Sequence, residues 1–426
     1  MFPTGNLQEA GVRPVSAEEV EIGKPLPWSV YDRDGALLFG QGMVVAGEAH
    51  LGIVLARGMI VPETATSAGQ LEPPTEDLPD PAATSDGDPA AAGDDDQDAG
   101  ADPGPEAEPE GLGLPGLPEE PRPPVFATLQ RMRVELEHLH AAIAEGRGED
   151  LALQVLDLAI RLRALVGRDA DAALAAMQLE VADDAHSARL LHAATLCQML
   201  VQALEWDEDE SLSLVAAALT FDVALTPMAA TLNRQESALT PDQRAMVDAH
   251  PQFGVELLRV AGVDDAVWLE AIAHHHERLD GSGYPGGLRD TAICRGARLL
   301  AIVDIYSAMV RPRAWREAVH ARLALRSLFL ERGRLVDESL AARLVREIGV
   351  FPPGTPVMLA NGEVGVVWRR GSNATHPVVA RLVNANGTLA AIPVRRDTAL
   401  EAFAITATVP PHKYQLLVSG AARLWE

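Results

Sequence analysis

The chain has 426 residues, 47% of them hydrophobic and only 4% aromatic, with a formal net charge of −26. This length predicts two or three domains, and the dominance of Ala and Leu predicts helices packed through small and aliphatic side chains. The charge argues against long nucleic acid as a partner, because nothing supplies a basic stripe.

From the N-terminus, "MFPTGNLQEAGVRP" has neither the basic region nor the apolar core of a leader. "WSVYDRDGALLFGQGMVV" predicts two strands about an Asp34-Gly35 turn, and "EAHLGIVLARGMIV" a short helix, a stop at Gly58 and a strand. Residues 1–62 are therefore expected to form a small α+β module. Residues 63–121 contain 17 acidic residues and no Lys or Arg, so the rest of the chain carries only −9. This Pro-, Gly- and Ala-rich segment lacks apolar periodicity and predicts a disordered, solvated linker.

"LQRMRVELEHLHAAIAEG" and "DLALQVLDLAIRLRALVG" repeat apolar residues at three- and four-residue intervals and end at Gly, predicting a helical hairpin over 122–180. Amphipathic helices continue over 181–346. Thr240 is an expected N-cap before Pro241, and Pro251 is expected to interrupt the helix that carries His250. No apolar run is expected to reach transmembrane length, so no membrane insertion is expected. Cys197 and Cys294 read as buried free thiols of a reducing cytoplasm, without ligand spacing. After "GVFPPGTP" the period becomes strand-like, with hairpins at Asn361-Gly362 and Asn386-Gly387, predicting a small antiparallel β domain over 347–426. The expected fold class is mainly α: an all-helical bundle flanked by a small N-terminal α+β module and a small C-terminal antiparallel β domain.

Several polar residues do not suit their surroundings. Asp222 interrupts "LVAAALTFDVAL", and Asp304 shares a helical stripe with Ala297, Leu300, Ala301 and Ala308. A buried carboxylate needs a cation, donors or a proton. His186 precedes Leu190, Ala193 and Cys197 at helical spacing, and His275 and His276 flank the stripe of Trp268, Leu269 and Ile272. Singly, each suits a hydrogen-bonded core residue; together, two acids and several histidines on one bundle suit a divalent transition metal.

The order of these residues, with "HHERLDGSGYPGGL" at 275–288 and "ARLLAIVDIYSAM" after it, resembles the HD-GYP family of the HD phosphohydrolase superfamily. The resemblance covers roughly residues 180 to 345 and implies an HD-type bundle over 181–346. It implies metal-dependent hydrolysis of the bacterial second messenger cyclic di-GMP, a cyclic dinucleotide. Divalent iron or manganese is the implied cofactor, held by His186, Asp222, His250, His275, His276 and Asp304. Asp222 and Asp304 are the implied catalytic residues. Asp280, Gly281, Gly283, Tyr284 and Pro285 are implied to line the substrate pocket, with Arg313 near the phosphate.

Three departures accompany the resemblance. Phe221 stands where the family has the histidine of its His-Asp pair, Leu225 stands where it has a lysine, and Ser307 turns "YDA" into "YSA". Reduced metal occupancy is expected. Three functions stay open: a phosphodiesterase with an altered metal site, a degenerate module binding cyclic di-GMP or a signalling protein without cleavage, or a scaffold. The flanking modules point to signalling rather than metabolism.

Overall fold

The computed structural model describes residues 124–179, 186–314, 316–409 and 421–425, together with parts of 13–60. The expected linker, the Asp34-Gly35 turn and the Gly58 stop lie outside the described residues. The strands flanking that turn, β2 (Val30–Tyr31) and β3 (Leu37–Phe39), pair antiparallel. With β1 (Arg13–Pro14) and β4 (Met59–Ile60) they form a sheet of order β1-β4-β2-β3.

The central part is helical, as its periodicity predicts. Helix α1 (Val125–Glu145) ends at Gly146, whose φ of 64° suits the left-handed cap. Helix α2 (Leu151–Arg168) carries Gly167 within its last turn and ends at Asp169 instead. The helices that follow among the described residues are α3 (Ala170–Leu179), α4 (His186–Ala203), α5 (Glu208–Thr220), α6 (Thr226–Arg234), α7 (Pro241–Val260), α8 (Ala266–His274), α9 (Arg295–Met309), α10 (Ala321–Leu330) and α11 (Glu338–Ile348). Helix α4 is buried on nearly every face, which makes it the axis of the bundle. Helices α5, α9 and α2 pack around it, and α8 bridges α5, α7 and α9.

Two expectations need correction. Pro251 does not interrupt α7, because the helix continues for nine residues beyond it. Glu208–Arg234 is long and apolar enough, by composition, to cross a membrane, contrary to the expectation of no such run. Here it is split by a 3-10 turn at Val223–Leu225, and 72% of its most apolar window is buried in the protein.

At the C-terminal end, strands β5 (Pro356–Leu359), β6 (Val364–Arg369), β7 (Val378–Val383), β8 (Leu389–Asp397) and β9 (Ile405–Thr408) form an antiparallel sheet of order β8-β7-β6-β5-β9. Gly362 and Gly387 turn its hairpins with φ of 83° and 81°, while the Asn361 and Asn386 side chains accept the N–H of Glu363 and Thr388, which explains both Asn-Gly pairs. Arg370 Nε lies 2.5 Å from Asp171 Oδ1 and Arg369 pairs with Asp169, tying β6 and the residue after it to the start of α3.

His140 couples three helices beneath the future site. Its Nε2 lies 2.8 Å from the Leu219 carbonyl and so donates, while Nδ1 lies 3.2 Å from the Thr226 hydroxyl and accepts. Burial lowers its pKa to about 4, against the opposing effect of the Leu219 hydrogen bond. The unfolded chain binds this proton near pH 6.5 and the folded chain only near pH 4, so protonation favours unfolding. Stability from this residue is complete above pH 6.5 and falls by up to about 1.4 kcal/mol per unit towards pH 4. His140→Gln keeps a donor for Leu219 and should flatten the loss of thermal midpoint between pH 7 and 5; an unchanged pH slope would contradict this.

Candidate metal centre

The site begins where α5 stops. After Thr220 the chain turns through Phe221 and Asp222 into the 3-10 turn, and the Asp222 carboxylate makes no cap to that turn. It is therefore free to face the bundle interior, where it is 2% exposed. A bare carboxylate at that depth is costly. Arg189 of α4 meets it from one side and meets Asp304 of α9 with its other arm.

The opposite side of Asp222 faces histidines. His250 Nε2 lies 3.1 Å from Asp222 Oδ1, and His275 Nε2 lies 3.9 Å from the same oxygen. The two Nε2 atoms are 3.3 Å apart. Their tautomers follow from their other nitrogens. His250 Nδ1 is 2.5 Å from the Val247 carbonyl and His275 Nδ1 is 2.7 Å from the Ile272 carbonyl. A carbonyl can only accept, so both Nδ1 atoms carry protons and both neutral Nε2 atoms carry lone pairs. Pro251 supplies one of these locks: lacking an N–H, it leaves the carbonyl of Val247, four residues earlier, free for His250.

Burial keeps the imidazoles neutral. It lowers His250 to about 4, and the Val247 hydrogen bond opposes it. It lowers His275 well below the ordinary histidine value, with the neighbouring His250 adding to the effect. His276 is lowered in the same way, chiefly by burial and then by His275. One ligand atom from each of Asp222, His250, His275 and His276 lies within 4.8 Å of the others. Lone pairs and a carboxylate facing each other in a dry interior repel unless a cation joins them. The donor set is three imidazoles and one carboxylate, which suits a divalent transition metal.

The other sequence-derived residues sit around this group. His186 opens α4 with Nε2 3.3 Å from the Asp222 carbonyl, outside the four-residue cluster. Burial, then the Arg189 charge, lowers its pKa well below the usual value. Asp304 is 6% exposed and reaches the group through Arg189. Arg313 is half-buried, and its charge adds to the lowering of both His186 and Arg189, after burial in each case. Phe221 is fully buried, with its ring 5.1 Å from that of His275 and the Arg189 guanidinium 5.3 Å above it.

The loop after α8 has its own supports. Tyr284 stacks on His276 at 4.7 Å and 27°, and its N–H donates to the His276 carbonyl at 3.3 Å. Gly283 passes so near this strand of loop that a Cβ would lie 2.4 Å from the His276 carbonyl oxygen, and Gly281 adopts φ +78°. Asp280 accepts from the Ser282 N–H at 2.9 Å and pairs with Arg334 at 3.1 Å, so its carboxylate braces the loop. Pro285 follows on the exposed surface.

Two residues escape sequence reasoning. Arg189 follows His186 by one helical turn, but a lone arginine on a helix ordinarily reads as solvated. Glu277, the acid of "HHE", is 2% exposed and accepts the N–H of Gly286 at 2.6 Å and of Leu288 at 2.9 Å. Its place next to two inward histidines was the available signal.

Residues 159–340 match the family model described as "HD domain". A cyclic di-GMP phosphodiesterase of Pseudomonas aeruginosa, PA4108, is 27% identical over 56% of this chain and 61% of its own length. The cyclic di-GMP phosphodiesterase response regulator RpfG of Xanthomonas campestris is 32% identical over 40% of this chain and 46% of its own. The chain thus spans less than two thirds of either relative. Among solved structures, an HDG"Y"P protein of Bdellovibrio bacteriovorus has a TM-score of 0.45 and 15% identity, over 78% of this chain and 98% of that one.

Glu277→Ala should leave two backbone donors unpaired and destabilise the chain by about 2 kcal/mol or more. Urea unfolding measures this; a change within about 0.5 kcal/mol would mean that the loop holds without Glu277.

Proposed function

We propose that this chain is a member of the HD phosphohydrolase family, in its HD-GYP branch, a reading supported by the match of residues 159–340 to the HD domain model and by the similarity to two cyclic di-GMP phosphodiesterases. The proposed activity is metal-dependent hydrolysis of a phosphodiester in a cyclic dinucleotide, cyclic di-GMP first among them. The observation that carries it is the convergence of His250 Nε2, His275 Nε2 and Asp222 Oδ1. Asp222, His250, His275 and His276 are the proposed first ligands, with His186 and Asp304 as further donors. Iron or manganese matches this nitrogen and oxygen set. A bound divalent ion supplies hydroxide near neutral pH and Lewis acidity towards the phosphodiester.

The chain's own residues supply the rest. The backbone carbonyls of Val247 and Ile272 hold two imidazoles in the tautomer that presents Nε2. Arg189 orients both carboxylates. Arg313 would offset phosphate charge, as the resemblance implies. The Gly283–Tyr284 turn presses His276 into position. Phe221 removes a donor and Leu225 removes a phosphate-neutralising charge, so the activity should be slow. The domain reading places modules at 1–62 and 347–426 around the helical hairpin of 122–180 and the catalytic bundle of 181–346, with 63–121 as a tether. A signalling role in the cytoplasm, with a signalling protein among its partners, belongs to the same proposal.

A second reading, binding without cleavage, draws support from the contact of Phe221 with both His275 and Arg189. The test is incubation of anaerobically purified chain, loaded with Fe(II) or Mn(II), with cyclic di-GMP, following linear dinucleotide and GMP by chromatography. Turnover should fall about 100-fold or more in Asp222→Ala, and rise in Phe221→His, Leu225→Lys. Retained binding with no turnover by the loaded protein would overturn the hydrolase reading in favour of the second.

A further inference from the structure

The first histidine of "HHHE" takes no part in the centre described above. His274 closes α8, and one turn earlier on the same face stands Glu270. Cys294 faces them from the N-cap of α9, where its Sγ accepts from the Ala297 N–H at 3.4 Å. One ligand atom from each of Glu270, His274 and Cys294 lies within 4.8 Å of the others. The expectation that Cys294 is a buried, isolated thiol is thereby corrected: it is half-buried and has ligand partners in space that its sequence spacing conceals. His274 Nδ1 is buried without a hydrogen-bond partner, and a buried imidazole nitrogen in that condition is rare unless something binds it. Glu270 is exposed, so the cluster opens to solvent.

We propose that Glu270, His274 and Cys294 form a second metal site, selective for zinc or a similarly thiophilic divalent ion. One thiolate, one imidazole and one carboxylate, with a fourth position open, is a zinc-type donor set. It differs from the all-imidazole and carboxylate set around Asp222, which has no sulfur. Its position gives it a consequence. His274 lies just before the 275–293 segment and Cys294 just after it. An ion bound there ties both ends of the segment that carries His275, His276, Glu277 and the Gly283–Tyr284 turn. The site is thus a clamp on the stem of the loop, through which a thiophilic metal stiffens or misplaces the catalytic histidines.

Cobalt(II) added to the full-length, metal-stripped chain distinguishes this site from the other. Thiolate coordination gives a near-ultraviolet charge-transfer band that imidazole and carboxylate ligands do not. The band should appear at about one equivalent, vanish in Cys294→Ser, weaken in Glu270→Gln and persist in Asp222→Ala. Serine is a good N-cap, so Cys294→Ser should preserve α9. Zinc content should fall by about one ion per chain in the same variant. Zinc should also slow tryptic cleavage within 275–293 in the wild type and not in Cys294→Ser. Absence of the thiolate band in the wild type, or its survival in Cys294→Ser, would overturn the proposal whatever the hydrolase assay gives.

Discussion

Three electron-rich atoms that point at one another inside a helical bundle are the constraint around which this molecule is organised. His250 Nε2, His275 Nε2 and Asp222 Oδ1 approach to between 3.1 and 3.9 Å in a region with almost no solvent. Left alone, such an arrangement would open. It stays closed because each group is anchored from behind. Two helix carbonyls hold the imidazoles, a turn between α5 and α6 aims the carboxylate, and Arg189 brings a positive charge against Asp222. The packing of α4, α5, α7, α8 and α9 fixes the distances among these anchors. The apolar core therefore serves the site by stiffness as much as by stability.

Phe221 shows how such a centre changes without losing its frame. If the resemblance holds and a phenyl ring stands here for an imidazole, a ligand is lost, yet the ring fills the space and rests against His275. Its face also receives the Arg189 guanidinium, a contact that an aromatic ring stabilises. Arg189 is thus held by two carboxylates and a ring at once. On the proposed reading, a bound cation and Arg189 would compete for the same negative charge on Asp222.

Much of this was legible from residue order. Helix ends followed from Gly146, Thr240 and Pro241, and hairpins from the two Asn-Gly pairs, because caps and turns are local. The inward aspartates and histidines were legible because polar residues on apolar stripes are conspicuous. What was hidden depends on long-range geometry. Arg189 looks like a surface arginine until Asp222 and Asp304, 33 and 115 residues later, are brought to it. Pro251 reads as a helix break because the local rule counts a lost N–H. In the fold, His250 uses the carbonyl that this loss frees, and the helix survives. Cys294 reads as isolated for the same reason: its partners lie on the far side of a loop.

The most direct test of the central claim is anomalous diffraction at the iron or manganese edge from crystals of the chain grown with that ion. The account predicts a peak within coordination distance of Nε2 of both His250 and His275 and of Asp222 Oδ1. Density for Arg189 still closed on Asp222, with no anomalous peak among the three histidines at saturating metal, would contradict it.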